Sequence, residues 1–307
     1  MSEENDSADL AGRLRGHVET LAATPRVPGT AEHTRARDYI RAHLQRAGFM
    51  VHDSISDYEG MRCHNLLTDP LPADGRLPLV VIGAHYDTVR DSPGADDNGS
   101  AVAALLELAT WIEPRLRAVE PKHARLQLVA YDLEEYGLIG SDLHSGAIER
   151  DGVPLRGMIS LEMLGYTDPR PGSQLLPAPL RGMYPDVGNF IGVLGTEASI
   201  PLLQVVAGTM KRVPRLPVEF LAVPGDGSII PETRLSDHSS FWDRGYPALM
   251  ITDTSFLRNP HYHKASDRPE TLDYEFLARV TQGVGEAALR LVSVADLEQL
   301  PGRGGET

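Results

Sequence analysis

The sequence predicts an α/β protein in which a layered sheet is covered by helices. Apolar runs of strand length alternate along the chain with longer segments that have helical periodicity. The run LPLVVIGA is continuously apolar, which is typical of a strand covered on both faces. The chain has 307 residues, of which 41% are hydrophobic and 23% charged, so it has enough apolar residues for a large buried core.

The first half of the chain opens with helices and continues with strands. Apolar residues recur every three to four positions over 8–23 and 32–47, and Gly48 closes the second segment, so both predict amphipathic helices. Strands are predicted at FMVHDSI (49–55), CHNLLT (63–68), LPLVVIGAHYD (77–87) and ARLQLVAYD (124–132), with a helix from about Asn98 to Leu116 before the last of them.

The second half repeats the alternation around one long loop. Pro and Gly are frequent from Gly165 to about Arg181, which predicts a surface loop. Helices are predicted over 137–149, 196–211 and Tyr274–Val294, and strands at GMISLEML (157–164), FIGVLG (190–195), PVEFLAV (217–223) and YPALMIT (246–252). Neither a repeat nor a linker divides the sequence, so we expect one domain over 1–307, with its core at about 30–295 and a loose tail at 297–307.

Charge and cysteine content exclude several classes of partner. The formal net charge of −14 disfavours nucleic acid and anionic membranes, because both attract basic surfaces. Cys63 is the only cysteine, so no intrachain disulfide forms, and we expect its thiol to be buried and inert. The polar N-terminus lacks the apolar core of a secretory signal, and no apolar run approaches the roughly 18 residues that span a bilayer. We therefore expect a cytoplasmic protein.

Polar residues that follow the apolar runs are the candidate functional residues, because ligands of open α/β sheets bind beyond the carboxyl ends of the strands. Each has an ordinary alternative explanation: a histidine at a strand end is usually solvated, and paired acids before a helix usually cap it. The candidates are His85, Asp87, Asp97, Glu134, Glu135, Glu162 and His263.

Together these candidates form a metal-ligand set. Two histidines and three carboxylates, one of them shared, match the needs of two neighbouring divalent ions. Nitrogen and oxygen ligands of this kind suit zinc, and the same set would accept cobalt or manganese.

Six motifs carry a resemblance to a known family. In order and spacing, GAHYDT, PGADDNGS, DLEEYGLIGS, SLEMLGY, SDHSSFWDRGYPALM and NPHYHKASD resemble the co-catalytic zinc exopeptidases, which include bacterial leucyl aminopeptidases, glutamate carboxypeptidases and glutaminyl cyclases. The resemblance covers about residues 30–295. It implies a three-layer α/β/α fold with a central mixed, mostly parallel twisted sheet.

The resemblance also implies a role for each candidate. His85 and Glu162 would be the private ligands of one metal, Glu135 and His263 those of the other, and Asp97 the bridge. Glu162 stands where many members have Asp. Glu134 would be the general base that takes a proton from the attacking water and delivers it to the leaving amine. The family also implies a cis peptide bond from Asp97 to Asn98.

Five further residues have secondary interpretations. Asp87 lies on the same side of an extended strand as His85, so we expect it to accept the second imidazole N–H. Asp96 is interpreted as a cap of Asn98 or of the following turn. Asp237 and His238 match a family segment near the active site, where His238 would either bind the tetrahedral intermediate or be structural. His261 is the alternative to His263, and the run HKASD favours His263.

The predicted function is metal-dependent exopeptidase activity on a peptide or small amide, with the N-terminal peptide bond as the favoured target. Glutaminyl-peptide cyclisation, carboxypeptidase activity and a silent binding module are the alternatives. We expect the loops at about 165–190 and 223–240 to form the side-chain pocket, and these loops contain no Arg or Lys cluster that would demand an acidic substrate. The sequence indicates no oligomeric state.

Overall fold

Eight strands and seven α-helices are found in residues 3–297, the part of the chain that the computed structural model describes. In chain order they are α1 Glu3–Leu21, α2 Ala31–Arg46, β1 Val51–Tyr58, β2 Met61–Thr68, β3 Leu79–His85, α3 Ala101–Ala118, β4 Arg125–Tyr131, α4 Ile139–Arg150, β5 Leu155–Glu162, β6 Ile191–Thr196, α5 Ile200–Met210, β7 Val218–Val223, α6 His238–Trp242, β8 Ala248–Thr252 and α7 Tyr274–Ser293. The predicted tail from 298 onward lies outside the described residues.

The strands form one mixed sheet in the order β1-β2-β4-β3-β5-β8-β6-β7. Its centre, β4-β3-β5-β8, is parallel, whereas β1 and β2 are antiparallel additions at one side. On the other side β6 runs antiparallel to β8, and β7 is parallel to β6. The mixed sheet with helices on its faces confirms the predicted three-layer α/β/α class.

The core consists of two apolar layers, one on each face of the sheet. In β3 the side chains of Val80 and Ile82 enter the layer that contains α3 and α7, while Val81 enters the layer that contains α6. Every residue of β3 is buried, which explains why its sequence is continuously apolar instead of alternating. At about 25 cal/mol per Å² of buried apolar surface, these two layers are the main source of stability.

Several element boundaries differ from the predictions. α3 begins at Ala101 instead of Asn98, because residues Ala95–Ser100 form a wider π-type turn with non-helical backbone at Asp97 and Asn98. The Asp97–Asn98 peptide bond is cis, as the resemblance implied. α5 is shorter than predicted because a 3₁₀ turn, Glu197–Ser199, precedes it. The short helix α6 was not predicted.

None of the helices described within 3–297 combines the length and apolar character needed to cross a membrane. The loop predicted after β5 is present, since the chain between β5 and β6 is irregular apart from a 3₁₀ turn at Ala178–Leu180.

Candidate metal centre

The candidate ligands lie at the carboxyl edge of the parallel strands. His85 ends β3 and Glu162 ends β5, while Glu134 and Glu135 follow β4 by a few residues. Because β4, β3 and β5 are adjacent and parallel, their ends meet at one edge. Asp97 reaches this edge from the π-type turn before α3, and His263 reaches it from the loop after β8.

The first group of ligand atoms surrounds His85. Its Nε2 atom lies 3.4 Å from Oδ1 of Asp97 and 3.5 Å from Oε2 of Glu162. Oε2 of Glu134 is 3.8 Å from the same nitrogen. All but Glu134 are almost completely buried.

The second group surrounds His263. Its Nε2 atom lies 3.1 Å from Oδ2 of Asp97 and 3.0 Å from Oε2 of Glu135. Asp97 therefore directs one carboxylate oxygen to each histidine, which is the arrangement that a bridging ligand requires. His261 is not part of this group, because its Nδ1 atom is hydrogen-bonded to the Ser266 hydroxyl at 2.9 Å.

These atoms fit two zinc ions. Nε2 of His85, Nε2 of His263 and Oε1 of Glu135 are buried without a hydrogen bond of acceptable geometry. Two ligands bound at about 2.0–2.1 Å in a tetrahedral site lie roughly 3.3 Å apart. The separations of 3.0–3.5 Å between the two histidines and their carboxylates are close to this value. Two cations would also supply the missing partners of the orphaned atoms.

The site has an excess of negative charge. Burial, together with the neighbouring acids, raises the pKa of Glu134 well above its usual range and that of Glu135 to about 7. Burial opposes protonation of His85, but the surrounding carboxylates outweigh it and raise the histidine pKa. Burial likewise opposes ionisation of Asp97, but the two histidines outweigh it and lower the carboxyl pKa. The chain has thus gathered more negative charge than its own histidines balance, which favours cation binding.

Asp87 positions the loop that carries Glu134 and Glu135. Its Oδ1 and Oδ2 atoms accept the main-chain N–H groups of Glu134 at 3.1 Å and Glu135 at 3.2 Å. Nδ1 of His85 lies 3.5 Å from Oδ1 of Asp87, which is beside the ring but too long for a hydrogen bond. The expected hydrogen bond between Asp87 and the His85 imidazole is therefore not formed in this structure. Asp87 instead holds the main chain of Glu134 and Glu135 by hydrogen bonds, while its carboxylate lies next to the His85 ring.

The interpretation of Asp96 as a helix cap is wrong. Its buried carboxylate accepts hydrogen bonds from the Gly165 N–H at 3.0 Å and from the Asn259 side chain at 2.7 Å. Neither partner belongs to the following turn. Asp96 instead joins the π-type turn to the loops after β5 and β8, and tertiary contacts of this kind have no signal in local sequence.

Two buried side chains that sequence reasoning missed hold the turn around Asp97. Asp267 accepts the main-chain N–H groups of Asp96 at 3.0 Å and Asp97 at 3.2 Å. The Asn98 amide donates to the Leu161 carbonyl and its oxygen accepts the Met163 N–H, both at 2.9 Å. The motif HKASD contains Asp267, so its position four residues after His263 was the available signal.

The other residues considered in the sequence, His238, Asp237 and Cys63, lie outside the two groups of ligand atoms. The His238 Nε2 atom is hydrogen-bonded to the Thr233 carbonyl at 2.8 Å and the ring packs edge-on against Trp242, which favours the structural alternative. Asp237 is buried, and burial raises its pKa to about 7. Cys63 is buried as expected, and burial raises the pKa of its thiol far above its usual range, so it is not a nucleophile.

A cleft opens beside the ligand groups. Asp97, Glu134, Glu135 and Glu162 form its inner end. Both loops expected to form a pocket contribute to its walls, the first through residues such as Leu176 and the second through residues such as Leu235. The lining is largely apolar and, within the described part of the chain, includes no Arg or Lys.

Comparison with known proteins identifies the family. The sequence model of peptidase family M28 matches residues 71–288, which is more than half of the chain. The chain belongs to peptidase family M28. The uncharacterised protein YfbL of Escherichia coli (strain K12) is 39% identical over 264 residues, covering 81% of this chain and 78% of that protein. A probable leucine aminopeptidase 1 of Trichophyton verrucosum is 28% identical over 293 residues, covering 90% of this chain and 70% of that protein.

Solved structures share the fold. The Legionella pneumophila LapA aminopeptidase superposes with a TM-score of 0.74 at 20% identity, over 96% of this chain and 76% of that chain. A glutaminyl cyclase of Porphyromonas gingivalis superposes with a TM-score of 0.66 at 19% identity, over 91% of this chain and 97% of that chain. An M28 chain of this fold is a peptidase-type enzyme by family, and the aminopeptidase and the cyclase use the same scaffold.

Proposed function

We propose that this M28 protein is an aminopeptidase with two zinc ions at the centre formed by His85, Glu162, Asp97, Glu135 and His263. The observation that carries the proposal is the charge of the cleft. Its inner end has four carboxylates, and no Arg or Lys lines it among the described residues. Three of these carboxylates are assigned to the metals, so Glu134 is the one that remains to attract a free α-ammonium group, whereas a free C-terminal carboxylate finds no cationic side chain in the cleft. An aminopeptidase is therefore favoured over a carboxypeptidase.

The proposed chemistry is hydrolysis without a covalent intermediate. The two zinc ions, when bound, supply Lewis-acid activation of the scissile carbonyl and of the nucleophilic water. Glu134 accepts a proton from the water as its oxygen bonds to the carbonyl carbon, and donates that proton to the amine nitrogen as the C–N bond breaks. The hydrogen bond from the Glu134 N–H to Asp87 fixes the start of this side chain.

The test combines metal analysis with release of N-terminal residues. Purified protein is assayed on a panel of aminoacyl anilides and dipeptides, with and without chelator, beside the same peptides with acetylated N-termini. We expect metal-dependent release from free N-termini only. The variant Glu134→Gln should keep both metals and lose roughly 10²–10⁴-fold in kcat. A protein with two bound metals that releases no N-terminal residue from the panel would refute the proposal.

Glutaminyl cyclisation is the second candidate, because a glutaminyl cyclase shares the fold. Peptides that begin with Gln separate the two activities. Ammonia release without cleavage of the peptide bond would support the cyclase, whereas release of free Gln supports the aminopeptidase.

A further inference from the structure

One row of paired residues crosses the sheet beneath the cleft. Glu162 of β5 pairs with Thr252 of β8, Thr252 pairs with Gly192 of β6, and Gly192 pairs with Glu219 of β7. Residues paired across neighbouring strands present their side chains on the same face of a sheet, and all four line the cleft. The row therefore has a carboxylate at each end and only a threonine and a glycine between them. Its middle forms the floor of a groove.

The groove is long and its walls are apolar. Adjacent strands lie about 4.8 Å apart, so three spacings place the α-carbons of Glu162 and Glu219 about 14 Å from each other. Both glutamates line the cleft. The apolar residues that line the cleft around this row are Leu176, Leu180, Tyr184, Leu194, Leu221, Met250 and Phe256. An elongated, mostly aliphatic side chain fits this space better than a short one.

Glu219 has no partner of its own. It is partly buried, and its side chain forms no hydrogen bond or ion pair with any residue described in 3–297. The nearby cation, Lys211, lies against the ring of Phe220 at 4.6 Å, and Phe220 is the next residue along β7, so it points to the opposite face of the sheet. A partly desolvated carboxylate at the end of an apolar groove gains most from a ligand that brings a positive charge.

We propose that Glu219 is a specificity-determining residue that selects N-terminal lysine or arginine, an inference that rests on the proposed aminopeptidase function. The α-ammonium group binds beside the metal centre, where Glu134 is the carboxylate that is not assigned to a metal. The aliphatic stem of the lysine or arginine lies over Gly192 and Thr252 against the apolar walls, and its cationic end meets Glu219. Glu232 also lines the cleft, but it lines the outer depression formed by residues 174–186 as well, and so lies toward the rim.

The test compares substrates that differ only in the terminal charge. Lysyl and norleucyl anilides have the same carbon stem, and only the lysyl substrate carries the ε-ammonium group. We expect wild-type kcat/KM to be about tenfold higher for the lysyl substrate, as one charge-assisted hydrogen bond predicts. Glu219→Gln should remove this preference, so that kcat/KM for the lysyl substrate falls to about that of the norleucyl substrate. Glu197→Gln is the matched control, because Glu197 is exposed on the turn after β6 and does not line the cleft.

Three kinetic results would overturn the assignment. The first is a wild-type enzyme without preference for the lysyl substrate. The second is an equal loss for both substrates in Glu219→Gln. The third is a loss of preference in Glu232→Gln but not in Glu219→Gln. A further variant, Gly192→Ala, tests the groove itself: an added Cβ atom lies at an ordinary 3.4 Å from the Thr252 carbonyl, so the methyl group is accommodated and raises the floor. This variant should lower kcat/KM for the lysyl and norleucyl substrates and leave that for the alanyl substrate at the wild-type value. If the variant affects all three substrates equally, the long side chains do not lie in this groove.

A binding measurement separates this inference from the proposed function. L-Lysinol and L-norleucinol have no bond to hydrolyse, and calorimetry with the metal-loaded protein reports their affinities without turnover. We expect lysinol to bind about tenfold more tightly, and Glu219→Gln to make the affinities equal. If no peptide is cleaved but this preference is present, the aminopeptidase proposal fails and the role of Glu219 stands. Equal affinities in the wild type would refute the role of Glu219 even if peptides are cleaved.

Discussion

Replacing Arg26 with methionine should destabilise both the fold and the metal centre. The guanidinium is 1% exposed and donates to four main-chain carbonyls instead of a carboxylate. Nε donates to Tyr86 at 2.9 Å, Nη1 to Leu21 at 3.0 Å and to Pro93 at 2.8 Å, and Nη2 to Gly94 at 2.9 Å. One side chain thus joins the end of α1, the residue after β3 and the turn that leads to Asp97.

The size of the loss follows from these four bonds. A hydrogen bond from a charged donor contributes about 1.5–3 kcal/mol, and a buried carbonyl left without a donor costs about 1–3 kcal/mol. Against this, burial of the charge itself is unfavourable, since it lowers the pKa of the guanidinium to about 10. Methionine keeps much of the packing and removes the cost of the charge. We therefore expect a net loss of about 3–5 kcal/mol, a large part of the 5–15 kcal/mol of a whole domain.

Equilibrium urea unfolding of the metal-free protein measures this loss, and zinc titration of the folded variant measures the effect on the site. Zinc affinity should fall, because the turn that carries Asp97 loses its anchor at Pro93 and Gly94. Arg90→Met is the matched control: Arg90 is exposed in the same loop and should leave both quantities within about 0.5 kcal/mol of the wild type. A loss below about 1 kcal/mol in Arg26→Met would show that water replaces the guanidinium without penalty, and would refute the reasoning.

Three other changes have definite expected outcomes. Asp267→Asn removes charge from the acceptor of the Asp96 and Asp97 N–H groups, so zinc affinity should fall about 10–100-fold in a chelator competition, and unchanged affinity would contradict its positioning role. Removal of the metal with a chelator should abolish activity. It should also lower the free energy of unfolding by about 4 kcal/mol, compared with protein in which the free metal concentration is a thousand times the Kd. A melting curve that does not change with chelator would count against a bound metal. Burial lowers the pKa of His144 to about 4, whereas a histidine in an unfolded chain has a pKa of roughly 6.5. Between pH 6.5 and 4 the unfolded state therefore binds a proton that the folded state does not, and the free energy of unfolding should fall by up to about 3 kcal/mol as the pH is lowered. His144→Asn, which retains a partner for the Tyr131 hydroxyl, should show a shallower slope, and identical slopes would refute this account.

The strand-end residues were predictable because their signal is local. His85 and Glu162 follow apolar runs, and the parallel order of the sheet brings such positions to one edge. His263 was harder, since it lies on a long irregular loop, and only the motif HKASD distinguished it from His261. The structure places His263, and not His261, beside Asp97.

The supporting residues were not predictable in the same way. Arg26 lies in a short proline-containing connection after α1, and nothing in its neighbours indicates that it is buried beneath the turn of Asp97. Asp96 matches every local rule for a cap, yet its partners are Gly165 and Asn259. Hydrogen bonds between residues far apart in sequence have no periodicity to detect, so local patterns assign such residues to their nearest turn.

The sequence by itself determined the alternation of strands and helices, the fold class, the family and the residues available as metal ligands, because each depends on local periodicity or on motifs of fixed spacing. The resemblance already implied that Asp97 is the bridge, and only the tertiary structure decided what Asp96 contacts: its carboxylate turns away from the metal ligands to the neighbouring loops. It also decided that Glu219 shares a groove with Glu162. These relations arise from strand register and loop packing, which bring together groups that the chain separates by dozens of residues.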